Sequence, residues 1–519
     1  MKRRTFIKNS SLLTLPLLIN GTRFSALAKG RYNEIFGEGN SDRVLVLIKM
    51  GGGNDTLNTI LPLEYYDNLA KVRSNILIPS SKAIHINDEV GLHPAMEGIR
   101  DVFEDGRLRI IRAVGYPSQN RSHFRSSDIW NTGSKSKEYK STGWLGDYLH
   151  DLHPTFPMDY PNNDYPDPLA ITISASAAEN CQGPEVNYSF ALTSTSGLSS
   201  LEQNDDQEAP DTCFGHNLEF MRESFRQANL YSERIKEAYE KGKNLSDLYP
   251  DKNILASRLK LIARLISGGL KTRIFVVSAG GYDTHSNQVE AGDVTKGRHA
   301  LLLSALSDGI RAFQDDLIEL GLEKRVLGMT HSEFGRRIRS NASAGTDHGD
   351  AVGMFVFGEC VSGGLLGDNP EISDTVSKNE AVPYQFDFRT VYGSILVDWM
   401  GVSEDYVKNN LFEDFVKLPI ISGCATNAAV DVSIIDAVDL EISPNPAHES
   451  VMLTWKRTGL PGSIILSDEM GGIIRQVQIS RGTAAVLRQR FDIGSLPVGV
   501  YYLKVVEGHL HKVKRFIKV

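Results

Sequence analysis

The chain has 519 residues, of which 41% are apolar and 23% charged, and its formal net charge is −8. That length exceeds one ordinary domain and points to two or three, with the composition of a soluble globular protein. The acidic balance excludes a sequence-independent nucleic-acid binder, which needs a basic face.

The first thirty residues read as an address rather than as fold. Lys2-Arg3-Arg4-Thr5-Phe6-Ile7-Lys8 precedes a modest apolar run, Leu12 to Ile19, and then Ala26-Leu27-Ala28. A basic start, a short apolar stretch and a small-x-small site make a cleavable export signal at 1–28, too short for a membrane span of about 20 apolar residues. The arginine pair with Phe6 and Lys8 resembles the twin-arginine signal; a general export signal with an incidental arginine pair is the alternative. Either way the mature protein leaves the cytoplasm. No later segment is long and apolar enough to span a membrane.

Val44 to Ile48 is an apolar run that ends in Gly51-Gly52-Gly53-Asn54-Asp55. Strand followed by glycines brings a backbone close to a ligand or metal. The spacing is neither a dinucleotide fingerprint nor a P-loop, and Asp55 falls where a first-strand carboxylate faces the carboxyl edge of a sheet. Met96, Ile99, Val102 and Phe103 predict a helix over 93–106 with Gly106 as its stop. A strand over 108–114 follows and ends in a polar stretch holding Arg121, Ser122, His123 and Arg125. Two readings stand for Ser122. It is a nucleophile for an anionic substrate, with the arginines and a helix N-terminus stabilising charge, or it is an N-cap.

Residues 151–215 are rich in Pro, Asn, Asp and Ser and read as loop or lid. Helical patterns follow at 217–242 and 253–267. Thr272 to Ser278 is the clearest β run, and it ends in Asp283-Thr284-His285. Two residues apart on extended backbone, Asp283 and His285 point the same way, and carboxylate plus imidazole is a common pairing for zinc, manganese or iron. A long amphipathic helix over 296–321 leads to a strand at Val326–Thr330, then to His331-Ser332-Glu333 and Arg336, then to Asp347-His348 before another apolar run at 354–357. Alternating strands and covering helices predict an α/β body with a doubly covered, mostly parallel sheet. A closing helix is expected at 387–401. Past Cys424 the pattern changes to short alternating runs at 451–455, 463–467, 473–479 and 501–505, which predict a small all-β sandwich. The expected divisions are the signal at 1–28, the body at 41–424, a linker at 425–440 and the sandwich at 441–519. The four cysteines (Cys181, Cys213, Cys360, Cys424) contain no C-x-x-C pair. A Cys181–Cys213 disulfide and buried free thiols both remain open.

Two resemblances rest on these residues. The stretches 51–59, 115–133, 277–288, 331–337, 345–349 and 387–396 resemble the bacterial family catalogued as domain of unknown function 1501. The tail, with Ser443-Pro444-Asn445-Pro446-Ala447, Leu496 to Tyr501 and the basic end Lys512 to Lys518, resembles the C-terminal sorting domain of type nine secretion in Bacteroidetes. Together they imply export across the inner membrane and delivery by the type nine machinery to the surface or medium. The body family is in turn similar to the alkaline phosphatase and sulfatase superfamily, which carries metals at the carboxyl edge of its sheet.

Carried over residue by residue, that resemblance implies a divalent metal (Zn, Mn, Ca or Mg) held by Asp55, Asp283, His285 and His348, with Asp347 beside the last, and Glu333 is a further candidate ligand because a glutamate can also ligate a metal. The resemblance makes Ser122 the nucleophile, with Arg121, Arg125 or Arg336 neutralising developing charge. Two departures stand out: the superfamily spaces its middle pair more widely than Asp283 and His285, and it has Asp-His where this chain has Ser332-Glu333. The reading is thus a metal-dependent hydrolase of phosphate or sulfate esters, with a non-catalytic surface glycan- or ion-binding protein on a hydrolase-like scaffold as the alternative. Metal-free Ser/His hydrolysis would need a histidine facing Ser122, and His123, adjacent in sequence, is expected to point elsewhere.

Overall fold

In the strand Val44–Gly51 every residue from Val44 to Ile48 is buried, and alternate side chains enter two different cores. Leu45 and Leu47 join Trp130, Trp144 and Tyr392 on one face, while Val44, Val46 and Ile48 join Ile99, Leu259, Leu306 and Phe313 on the other. Apolar side chains on both faces place a strand in the middle of a sheet covered on both sides. The computed structural model, which describes residues 42–158, 160–194, 210, 212–422, 424, 440–456, 462–468, 472–479, 486–507 and 510–519, places it there. The expected signal at 1–28, residues 159, 195–209 and 211 of the expected loop and all but the last residue of the expected linker lie outside the described residues.

Among the described residues the central sheet has nine strands. Their order is Gly364–Leu366, Leu108–Gly115, Val352–Phe357, Val326–His331, Val44–Gly51, Ile274–Gly280, Ala170–Thr172 and Ser189–Ala191, with Phe386–Asp387 also pairing with Leu108–Gly115. Val352–Phe357 runs antiparallel to both neighbours, and the other pairings are parallel. The register sets Ile48 between Val277 and Thr330. Three parallel strands therefore deliver their following loops to one edge.

Helices His123–Thr132, Trp144–Leu152 and Phe388–Asp398 cover the first face, and Glu97–Glu104, Ile254–Ser267 and Arg298–Glu319 the second. Side chains rather than apolar spacing fix several helix starts. Asn253 accepts from the Ala256 amide at 3.0 Å and Thr212 from the Gly215 amide at 3.1 Å, as N-cap residues do. The helix expected from residue 93 starts at Glu97, because the His93 ring and carbonyl are taken by the Ala95 and Met96 amides in a preceding turn. The expected loop at 151–215 contains Ala170–Thr172 and Ser189–Ala191, which extend the sheet beside Ile274–Gly280. Three residues are too few to show an alternation. Cys181 is a buried free thiol and the disulfide joins Cys360 to Cys424, which corrects the Cys181–Cys213 pairing.

The chain divides into two compact units, the first ending at Thr426 and the second starting at Asn427. The second unit has two antiparallel sheets. Leu440–Ser443, Ser450–Lys456 and Val486–Asp492 form one, and Ile473–Ile479, Gly462–Asp468, Gly499–Glu507 and Leu510–Lys518 form the other. Leu453, Ile464, Leu503 and Phe516 share its core.

Candidate metal centre

The loops after Val44–Gly51, Ile274–Gly280 and Val326–His331 meet at the carboxyl edge of the sheet. Gly52 (φ +120°) and Gly53 (φ +78°) turn there, and each needs to be glycine: a Cβ on Gly52 would lie 2.3 Å from the Asp283 amide, and one on Gly53 2.2 Å from the Phe334 ring. The glycines thus bring the backbone against its neighbouring loops. Gly52 N–H donates to Glu333 Oε1 at 2.8 Å.

Beneath the edge lies a buried polar pillar. Thr284 and Thr346 are fully buried, and their hydroxyls donate to Gln288 Oε1 at 3.0 and 2.9 Å. Gln288 Nε2 donates to Asp55 Oδ2 at 2.7 Å. Asp283 and His285, which flank Thr284, are half-exposed. The inward threonine and its outward neighbours follow the period of two that the sequence pattern called for.

Four side chains converge above the pillar. One ligand atom each from His123, Asp283 and His348 lie within 4.8 Å of one another. His285 Nε2 is 3.2 Å from Asp283 Oδ1 and 2.8 Å from His348 Nε2. His348 Nδ1 lies 2.7 Å from the Arg121 carbonyl, and His285 Nδ1 3.4 Å from Asp347 Oδ1. The Arg121 carbonyl is a pure acceptor, so His348 Nδ1 carries the proton and its Nε2 presents a bare lone pair toward His285. His285 has a carboxylate oxygen near each ring nitrogen, Asp347 Oδ1 at Nδ1 and Asp283 Oδ1 at Nε2. His123 adds a third imidazole, with Nε2 3.5 Å from Asp283 Oδ2 and Nδ1 3.0 Å from Glu333 Oε1. Three imidazoles and a carboxylate are a donor set for zinc, manganese or iron, so these residues fit a divalent ion.

Electrostatics favour the ligating forms. Burial by itself would raise the Asp283 pKa, but the Arg336 guanidinium at 2.7 Å holds it below the ordinary value. Burial lowers the His348 pKa, and Arg336 pushes it the same way, against the Arg121 carbonyl. It stands as neutral imidazole, the form that binds metals.

The other expected site residues are placed differently. Asp55 is fully buried in an ion pair with Arg73 at 3.2 Å, and its oxygens are taken by Arg73 and Gln288 rather than turned to the cluster. Asp347 borders the cluster, held by Arg337 and Asn341 at 3.2 Å each. Glu333 sits behind His123. Arg336 donates to the carbonyls of Gly52, Gly53, Tyr282 and Thr346 as well as to Asp283. Arg121 makes a two-pronged pair with Asp350 at 2.8 and 2.7 Å. Arg125 is spent on Asp128, on the carbonyls of Ser136 and Glu138 and on the Tyr139 ring. Ser122 occupies the N-cap position of His123–Thr132, yet its exposed side chain makes no capping bond. His123 was not among the expected ligands. Its ring nitrogens face Glu333 and Asp283, and its adjacency to Ser122 gave no signal of that.

The profile of the family described as Protein of unknown function (DUF1501) matches residues 42–401. The chain belongs to that family. A second profile, the Secretion system C-terminal sorting domain, matches 441–519 and supports export of this DUF1501 protein to the cell surface or extracellular space. No curated protein matches. Among solved structures, PorZ, a surface component of the type-IX secretion system of Porphyromonas gingivalis, shares 18% identity over 19% of this chain and 13% of its own length, with a TM-score of 0.14. An alkaline phosphatase superfamily protein from Vibrio parahaemolyticus shares 9% identity over 93% of this chain and 87% of its own, at a TM-score of 0.33. The PsFucS1 sulfatase from Pseudoalteromonas sp. shares 10% over 87% and 84%, at 0.30. At such scores none carries an argument about chemistry. Among the described residues no helix is long and apolar enough to cross a membrane.

Proposed function

We propose that the DUF1501 body is a metal-assisted hydrolase of phosphate or sulfate esters, carried to the cell surface or medium by the type nine machinery that the sorting tail addresses. The observation that carries the reading is the convergence of His285 Nε2 and His348 Nε2, 2.8 Å apart, beside Asp283 Oδ1, with His348 Nδ1 committed to the Arg121 carbonyl. His123, Asp283, His285 and His348 would hold the ion, and three imidazoles favour zinc or manganese over calcium or magnesium. When bound, a divalent ion there supplies a Lewis acid for an ester oxygen. Ser122 is assigned the attack: it directly precedes His123, is exposed, and leaves the amides of the first helical turn without a side-chain cap. Arg336 keeps Asp283 ionised instead of meeting substrate, and Asp347 orients His285.

One observation favours the second reading, a non-catalytic ion- or glycan-binding surface protein. Arg121, Arg125 and Arg336 are all engaged within the fold, so none of the three is poised for an anionic ester. Elemental analysis of the purified full chain, with hydrolysis of aryl phosphates and aryl sulfates by metal-reconstituted wild type and Ser122→Ala, separates the two. Turnover lost in Ser122→Ala supports the hydrolase. Bound metal without turnover of either ester class supports the binding protein, and absence of metal from the reconstituted chain rejects the centre.

A further inference from the structure

Glu333 is 3% exposed, and its carboxylate is not among the converging ligand atoms. Oε1 accepts from Gly52 N–H at 2.8 Å and faces His123 Nδ1 at 3.0 Å, whereas Oε2 is buried with no hydrogen-bond partner. A buried carboxylate with one oxygen unsatisfied is unfavourable for folding. The surrounding turn has other ties. Ser332 Oγ donates to the Met50 carbonyl at 2.6 Å, and Arg336 binds the carbonyls of Gly52 and Gly53. What Glu333 adds is its grip on His123.

That grip decides which nitrogen of His123 carries the proton. A carboxylate oxygen that already accepts an amide can only accept again, so the proton sits on Nδ1 and Nε2 is left as a lone pair directed at Asp283. The ring is further wedged between Phe334, at 5.0 Å between centroids, and His348, at 4.4 Å. We propose that Glu333 is a positioning residue: it holds His123 as the Nδ1–H tautomer with Nε2 turned toward Asp283 and His348, and thereby sets how tightly the centre holds its ion. Carboxylates behind ligating histidines act in this way, and losing one weakens metal binding by roughly 10- to 100-fold. The affinity half of the inference rests on the metal reading above; the tautomer half does not.

Two measurements on the full chain keep the halves apart. In metal-free protein carrying ring-¹⁵N histidine, long-range ¹H–¹⁵N correlation reports each tautomer, and His123→Ala identifies the His123 signals. The wild type is expected to show Nδ1–H at His123, Glu333→Gln to retain it because the amide oxygen still accepts, and Glu333→Ala to lose it. Nε2–H at His123 in the wild type overturns the inference with no variant needed, as does an unchanged tautomer in a folded Glu333→Ala.

Zinc affinity is then read by competition against a chromophoric chelator. Glu333→Ala should bind roughly 10- to 100-fold more weakly than wild type, and Glu333→Gln should recover most of that loss. In a His123→Ala background Glu333→Ala should change nothing further. Equal affinities in wild type and Glu333→Ala, or an undiminished effect without His123, overturn the positioning role. A wild type that binds no zinc refutes the metal reading and the affinity half, while the tautomer result still decides the rest.

Discussion

The ion pair beneath the centre gives the sharpest stability prediction. Arg73 and Asp55 are both fully buried; the guanidinium donates to Asp55 at 3.2 Å and also to the carbonyls of Ile338 and Arg337 at 2.8 and 3.0 Å. Burial alone would raise the Asp55 pKa, but Arg73, His299 and the Gln288 bond outweigh it and hold the carboxyl below its ordinary value. Arg73→Met keeps much of the volume and removes the charge, which strands a buried carboxylate. Breaking a buried pair in this way costs about 3–5 kcal/mol, a large share of the roughly 5–15 kcal/mol typical of a folded domain. Three of the four tryptophans (Trp130, Trp144, Trp399) are buried in the body, so tryptophan fluorescence during urea unfolding follows that unit.

In the wild type the depressed Asp55 pKa contributes stability above the unfolded value near 3.9, and that contribution is lost as pH falls through the folded pKa. In Arg73→Met burial acts unopposed by the guanidinium and the folded pKa moves up, so the deficit is largest at neutral pH and shrinks toward the acid side. Adding Asp55→Asn should recover more than about 1 kcal/mol of the loss. An Arg73→Met protein within about 1 kcal/mol of wild type at neutral pH, or one whose deficit ignores both pH and Asp55→Asn, would refute the reasoning.

Burial pushes His93, His153 and His331 down to about 3 and His299 to about 4. Four imidazoles released on unfolding take up protons below about 6.5, so stability is full above that pH and falls steeply toward about 4; a flat urea midpoint across this range would count against it. Chelation should lower the Tm of the reconstituted protein, since free zinc at 100 times its Kd contributes about 2.7 kcal/mol, and His348→Ala should erase that difference; equal chelator sensitivity in both rejects His348 as a ligand. The Cys360–Cys424 bridge spans a sequence separation of 64, for which loop entropy gives about 4 kcal/mol. Replacing both cysteines by serine should shift the urea midpoint accordingly, and a shift worth under about 1 kcal/mol would show that the unfolded chain gains little freedom.

What could be read from the sequence divides by range. Asp283 and His285 were legible because their geometry is local: two residues apart, past a strand, on the outward side of Thr284. His348, named by the resemblance, reaches the cluster, whereas Asp347, named beside it, only borders it and is held by Arg337 and Asn341. The fates of the arginines were not legible, because a guanidinium's partner is set by tertiary contacts. Asp350 lies 229 residues from Arg121 and Gly53 lies 283 from Arg336. Asp55 was placed at the correct edge but given the wrong neighbours, since Arg73, 18 residues on, and Gln288, 233 residues on, meet it only in the folded sheet. His123 escaped because adjacency to Ser122 says nothing about where a ring points at a helix start.

These misplacements share one physical cause that bears on how the site works. Asp55 was expected as a ligand and instead heads the pillar from which Gln288 reaches Thr284 and Thr346. Each threonine adjoins residues of the cluster, so one glutamine ties the Asp283–His285 turn to the Asp347–His348 strand from below. A buried ion pair contributes little net stability against a well-packed apolar alternative, but one that anchors this glutamine fixes the spacing of two ligand pairs that come from separate loops. If so, Gln288→Leu should keep the apolar volume and much of the fold, yet weaken zinc binding without removing a ligand. Gln288→Glu should do worse, since it sets a second carboxylate against Asp55. Zinc titration of the two variants, set beside Arg73→Met, tests whether the pillar acts on the centre or only on the fold: loss of affinity in proportion to lost stability alone would leave Gln288 no role in spacing the ligands.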